Sequence, residues 1–283
     1  MRFRGLSGAI MHRHSYLAPK TQRLASPDAA LLHADAYAEP KTATIGGRPL
    51  NAIAEALLGA LGLITAWDAK LVEIVALSLK VSLSAVLFAT LLALPLGAAV
   101  AVARFPGRHA LIVLLNALMG LPPVVVGLVV YLLLSRAGPL GEFGLLFTPP
   151  AMVIAQTLLI LPIIAALTRQ GVEDAWIEYQ DQLRSLGVSG VPAALTLLWD
   201  IRYSLVTAVL AGLGRASAEV GAVMIVGGNI DGVTRVMTTT IALETSKGDL
   251  PLALSLGIVL ILIVLLLNAA AFLVKEAAQR KYG

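Results

Sequence analysis

Apolar runs long enough to cross a bilayer recur along this chain, and they constrain its fold more than any other feature. About 20 apolar residues in helical form match a hydrocarbon core of ~30 Å. The composition agrees, with 58% hydrophobic and 13% charged residues, where soluble domains carry roughly 25% charged. A water-soluble domain built this way would aggregate. The chain is therefore expected to be all-α, a polytopic membrane protein with about five transmembrane helices. Cysteine is absent, which excludes disulfides, thiolate zinc clusters and thiol nucleophiles. The net charge of +4 does not point to nucleic acid, because Lys and Arg in a membrane protein mark the cytoplasmic ends of helices.

The first clear span lies within Val72–Ala103, with Lys80 at the outer interface and the apolar part from Leu83 to Val102 across the bilayer. Arg104, Pro106, Gly107 and Arg108 follow as a tight basic turn. A second span runs from about Ala110 to Leu134, and Gly120, Pro122 and Pro123 near its middle must break the helical hydrogen-bond ladder. The third is Pro150–Leu167. Spans four and five are Tyr203–Val226 and Leu250–Val274, joined by a polar loop holding Gly227, Gly228, Asn229 and Thr238–Thr240. The stretch Thr168–Arg202 is too charged for lipid and too patterned for a linker.

Basic residues at the span ends set the orientation. Arg104, Arg108, Arg169, Arg184, Arg202, Lys275, Arg280 and Lys281 fall on one side, against Arg136, Arg235 and Lys247 on the other. The segment 168–202 and the C-terminus are thus expected in the cytoplasm of a bacterial or archaeal cell. Five spans would then place the N-terminus outside, although residues 1–50 form a basic tail that resists translocation. Either Ala52–Ala66 also spans, or the natural start lies downstream. Residues 1–50 read as an N-terminal extension, disordered or not native, and 51–67 as an interfacial helix or short extra span. The transmembrane domain proper is 68–283, with the loop 168–202 inside it.

Within that loop, Asp181-Gln182-Leu183-Arg184-Ser185-Leu186-Gly187 precedes apolar Val191, Ala194, Leu195 and Leu198. The pattern predicts two short helices bent at a glycine, with an apolar face that can dock on a partner. It resembles the coupling loop of binding-protein-dependent ABC importer permeases, written Glu-Ala-Ala, three residues, Gly, nine residues, Ile-x-Leu-Pro. Asp181 and Gly187 fit; Gln182 and Leu183 stand at the two alanines, and Leu197-Leu198-Trp199-Asp200 at the closing element. Gly120-Leu121-Pro122-Pro123-Val124-Val125-Val126-Gly127-Leu128 and Ala218-Glu219-Val220-Gly221-Ala222-Val223 extend the resemblance to molybdate, sulfate and tungstate permeases. The run from Gly227-Gly228-Asn229-Ile230 to Glu244-Thr245 is similar to tungstate permeases in particular.

The resemblance implies a type I ABC importer architecture: a homodimer of this chain, two cytosolic ATPases on the coupling loops, and an extracytoplasmic tungstate-binding protein. It implies contact with the ATPase at Asp181, Gln182, Leu183, Gly187, Val191, Leu195 and Leu198. ATP and magnesium would sit on the ATPase, since the sequence has no Gly-x-x-x-x-Gly-Lys-Ser/Thr phosphate loop. Molybdate or another tetrahedral oxyanion remains an alternative cargo, and a secondary anion transporter an alternative class.

Residue by residue, the expected translocation path takes in Pro122, Pro123, Arg215, Ser217, Glu219 and Gly221. Arg215 and Glu219, four apart, can pair at membrane depth. They either attract a passing dianion or only fix helix packing. Gly227, Gly228 and Asn229 belong to the outer face, as an amide nest or simply a helix end. No catalytic or metal constellation emerges: His109 stands alone in a turn, and Ser217 has no histidine nearby in sequence.

Overall fold

The computed structural model describes residues 69–282 continuously, with isolated helical positions between 54 and 65. The expectations for residues 1–50 and for most of 51–67 lie outside the described residues. In chain order the described helices are α1 (Ala69–Val102), α2 (Arg108–Leu118), α3 (Pro123–Leu134), α4 (Pro149–Ser185), α5 (Val191–Asp200), α6 (Arg202–Ser217), α7 (Gly221–Gly227), α8 (Met237–Lys247) and α9 (Leu250–Tyr282). Helices α1, α4 and α9 are each long and apolar enough to cross a membrane, and two bent pairs, α2–α3 and α5–α6, bring the number to five if each is one span.

The core is the crossing of α1 and α4, the most extensive helix contact among the described residues. Lipid offers no hydrophobic drive for helices to meet, so close backbone approach must supply the attraction. Ala85, Ala89, Ala93 and Gly97, one every four residues, form a fully buried stripe on α1. At Gly97 the contact is closest: a Cβ added there would lie 2.6 Å from the Ala165 carbonyl oxygen and 2.8 Å from Thr168. Ile160, Ile164 and Met152 of α4 fill the interior around this seam. By contrast α9 buries little of its apolar window and leaves Leu262, Leu265 and Leu266 outward.

Three sequence expectations need correction. The polar stretch Thr168–Arg202 does not begin as a separate short helix, because α4 runs unbroken for 37 residues from the membrane into it. At 1.5 Å per residue that is about 55 Å, far beyond a ~30 Å hydrocarbon core, so the charged end must project into water. Span four is not one helix either; it stops at Ser217 and restarts at Gly221. Nor is the stretch 227–249 all loop, since Met237–Lys247 is helical and Thr239 Oγ1 accepts the Val236 N–H at its start (3.1 Å).

Charges hold both ends. At one, Arg108 donates to the terminal carbonyls of Val100 and Ala101 on α1 (2.8 and 3.3 Å) and to Glu173 on α4 (2.8 Å), while Arg169 pairs with the same carboxylate. A cation at a helix C-terminus satisfies orphan carbonyls and complements the helix dipole. At the other, Asp231 bridges Lys70 (2.8 Å) and Arg235 (2.9 Å). The hydrogen bond from Lys70 holds the Asp231 carboxyl below its usual range.

Replacing Gly97 by Leu should separate α1 from α4 and cost about 1–3 kcal/mol or more, as overpacking does. Gly257→Ala, where the new Cβ meets nothing within 4 Å, should be neutral or slightly stabilising. Thermal unfolding in detergent, followed by size exclusion, reads the difference; equal midpoints for both variants would refute the close crossing.

Candidate functional site

Two breaks in membrane-embedded helices lie side by side. At the first, α2 tightens at its end, with the Gly120 N–H on the Ala117 carbonyl (3.1 Å) and the Leu121 N–H on Leu118 (3.2 Å). Pro122 is extended (φ −64°, ψ 122°) and Pro123 opens α3. Neither proline can donate a hydrogen bond, and the chain turns by 104° between α2 and α3.

The second break, Ala218-Glu219-Val220, contains no proline and is held by tertiary partners. Glu219, only 3% exposed, accepts Arg215 Nη1 at 2.7 Å through Oε2 and the Ala222 N–H at 3.0 Å through Oε1. One carboxylate thus caps α7 and neutralises the last turn of α6. The backbone carbonyl of Glu219 accepts the Thr238 hydroxyl (2.9 Å), and that of Ala216 accepts Gln156 Nε2 (3.2 Å). Arg215 is the wetter partner, its side chain 30% exposed.

The two breaks touch through glycines. A Cβ on Gly127 would fall 2.7 Å from the Ala222 Cα, and one on Gly221 would fall 2.9 Å from Val124 Cγ2. The two sequence motifs, nearly a hundred residues apart, therefore form one packed unit. Beside it lies a small cavity of about 30 Å³ whose polar lining is Ser78, Ser82, Gln156, Ser217, Glu219 and Thr238, room for about one water. Gln156 Oε1 is buried there without a partner.

Of the expected path residues, Pro122, Pro123, Glu219 and Gly221 belong to this packed unit; Arg215 joins it by pairing with Glu219, and Ser217 lines the cavity. Gln156, Thr238 and Ser78 had not been singled out, although a glutamine inside an apolar span is costly enough to attract notice. Gly227, Gly228 and Asn229 end α7. Gly228 is the left-handed C-cap (φ 72°), its N–H on the Met224 carbonyl (2.9 Å), and Asn229 continues at φ 51°.

At the far end of α4, the chain reverses at Gly187 (φ 72°) and Gly190 (φ 62°) before Val191 opens α5. The Val188 N–H returns to the Leu183 carbonyl (2.8 Å). Leu183, Ala193 and Leu197 are buried against Ala98, Ala101, Val172 and Ala175, so the bend is packed onto the ends of α1 and α4. Asp181 and Gln182 stay exposed, as do Leu186 (75%) and Trp199 (72%). Val191, Leu195 and Leu198 instead line a groove against α1, with the first two largely open to its mouth.

No protein-family model matches the chain. A probable anion ABC transporter permease protein of Haloferax volcanii is 43% identical over 218 residues, 75% of this chain and 94% of that protein. The tungstate uptake system permease protein of Peptoclostridium acidaminophilum is 39% identical over 227 residues, 80% of this chain and 100% of that protein. A sulfate transport system permease protein of Synechococcus elongatus is more distant, 29% identical over 60% of this chain.

The unequal burial of the ion pair makes an asymmetric prediction. Arg215→Met strands a buried carboxylate and should cost about 3 kcal/mol or more, whereas Glu219→Gln leaves a guanidinium within reach of water and should cost less. Unfolding midpoints of the two purified variants measure this; a larger loss for Glu219→Gln would refute the assigned roles.

Proposed function

This chain belongs to the anion ABC transporter permease family, and we propose that it is the membrane subunit of an ATP-driven importer for tungstate. The observation that carries the cargo is its 39% identity to a tungstate uptake permease along the whole of that protein. The relative named for sulfate is more distant.

In this reading two copies of the chain enclose the path, each contributing the paired breaks. Backbone that is not helical at membrane depth must face protein or a watery cavity, which favours Pro122, Pro123, Arg215, Ser217, Glu219 and Gly221 as path residues. The partly exposed guanidinium of Arg215 offers the anion positive potential, and Glu219 keeps it from becoming a trap. A binding protein delivers tungstate at the outer face near Gly227, Gly228 and Asn229. The C-terminus and the α4–α5 bend lie in the cytoplasm, as the distribution of basic residues favours.

Two cytosolic ATPases, with their own ATP and magnesium, grip that bend. Asp181, Gln182 and Gly187, together with exposed Leu186 and Trp199, offer the contact. Leu183 carries the push inward through its packing, and Ala193 and Leu197 brace α5 against α1, while Val191, Leu195 and Leu198 line the groove beside them and complete the contact surface. The chemistry of hydrolysis stays on the partner; this chain supplies the path and the mechanical link.

Tungstate uptake into proteoliposomes should require this chain, its ATPase, its binding protein and ATP together. Uptake driven by a proton gradient without ATP would overturn the reading in favour of a secondary transporter. Gly187→Val, which forces a β-branched residue to φ 72°, should lower uptake at least tenfold relative to ATP hydrolysed. Full coupling in that variant would remove Gly187 from the mechanism.

A further inference from the structure

Asn116 on α2 has an exposed side chain with no hydrogen-bond partner among the described residues. An asparagine in a membrane helix can satisfy itself, as Asn268 of α9 does by donating from Nδ2 to the Val264 carbonyl one turn back (2.9 Å). Asn116 does not.

Its depth makes this costly. Arg108 holds the start of α2 at the membrane border, where it bonds the last carbonyls of α1 and Glu173, and Asn116 lies about 12 Å further along the helix. The adjacent Leu115 is 4% exposed and belongs to the same interior cluster as Ile160 and Ile164, so α2 runs inward at this point. An amide carried to that depth must meet water or another polar group.

The position of Asn116 on the helix says where that water lies. His109, Val113, Asn116 and Gly120, spaced by three or four residues, share one face of α2 and are all exposed. Leu111 and Leu115 turn the other way, into the core. At Gly120 an added Cβ would meet only the Ala117 carbonyl, at 3.6 Å, so the face stays open up to Pro122 and the first break. Non-helical backbone at depth makes the same demand for water or protein. The unpaired amide and the break thus call for it on one continuous surface. Nδ2 carries two donors and no net charge, which suits brief contact with a passing anion.

We propose that this face of α2 lines the path between the first break and the basic turn, and that Asn116 is a further path residue whose Nδ2 donates to the oxyanion as it passes. The cargo rests on the importer reading, whereas the hydration of the face can be measured without transport.

The chain contains no cysteine, so a single introduced thiol reports on its own position. In native membrane vesicles, Asn116→Cys in the full chain should react with sulfonatoethyl methanethiosulfonate on the order of tenfold faster than Leu265→Cys, which is 60% exposed on the outward side of α9. That reagent is an anion and needs a hydrated thiolate. Equally slow reaction at both positions would overturn the proposal. So would near-complete disulfide formation between two copies of the Asn116→Cys chain under mild oxidation, which would make the face a contact between copies. In tungstate uptake by the complete importer, Asn116→Leu should lose about tenfold or more, as expected for a lost hydrogen bond to a charged group, and Asn116→Gln, which keeps the amide, should retain most of the activity. Undiminished uptake by Asn116→Leu would remove Asn116 from the path. Absence of uptake by wild type would strike the importer reading and not the wet face, which the labelling decides by itself.

Discussion

Inside a bilayer a backbone amide or carbonyl that leaves a helix finds no water to replace its partner. This membrane domain departs from helix twice at depth, and a group of polar side chains from three helices and the break itself is committed to the second departure. Gln156 and Thr238 serve carbonyls of the second break, Arg215 balances its carboxylate, and Glu219 caps the helix that restarts. The first break has prolines where donors would otherwise be stranded. The close glycine contacts between α3 and α7 then follow, because only side-chain-free backbone lets the two breaks share one protected volume.

That arrangement divides labour along α4. Its membrane half, with Met152, Gln156 and Ile160, packs against both α1 and the second break. Its aqueous half carries Arg169 and Glu173, which lock to the basic turn after α1, and then the bend at Gly187. One uninterrupted element therefore touches the polar interior, the membrane border and the surface offered to a partner.

How much of this was legible depended on whether a residue acts through its own backbone. Pro122 and Pro123 announced the first break because a missing N–H is written in the residue type. Gly187 announced the reversal because a left-handed turn favours glycine. Ala218-Glu219-Val220 carries no such mark, since any of the three can be helical, and the break is held by Gln156 and Thr238 arriving from elsewhere together with Arg215 from the preceding turn. The continuation of α4 past Leu167 was hidden for a different reason. Its residues change from apolar to charged as lipid gives way to water, while nothing in that stretch instructs the helix to stop. The Thr-rich start of α8 read as loop because threonine is a weak helix former, whereas here Thr239 folds back to cap the helix it begins.

The length of α4 carries a mechanical consequence. From Gln156 to Ser185 the helix extends about 44 Å, with the Gln156 end anchored beside the second break. Beyond Pro162, which interrupts the hydrogen-bond ladder near the anchor, the helix magnifies rotation: a tilt of roughly 5° there sweeps the Ser185 tip through about 3 Å. Read in the opposite sense, several ångströms of travel imposed at the cytoplasmic tip become a change of a few degrees among tightly packed interior groups. Gearing of this kind suits an assembly in which a large stroke must be converted into a small, forceful adjustment of a narrow opening.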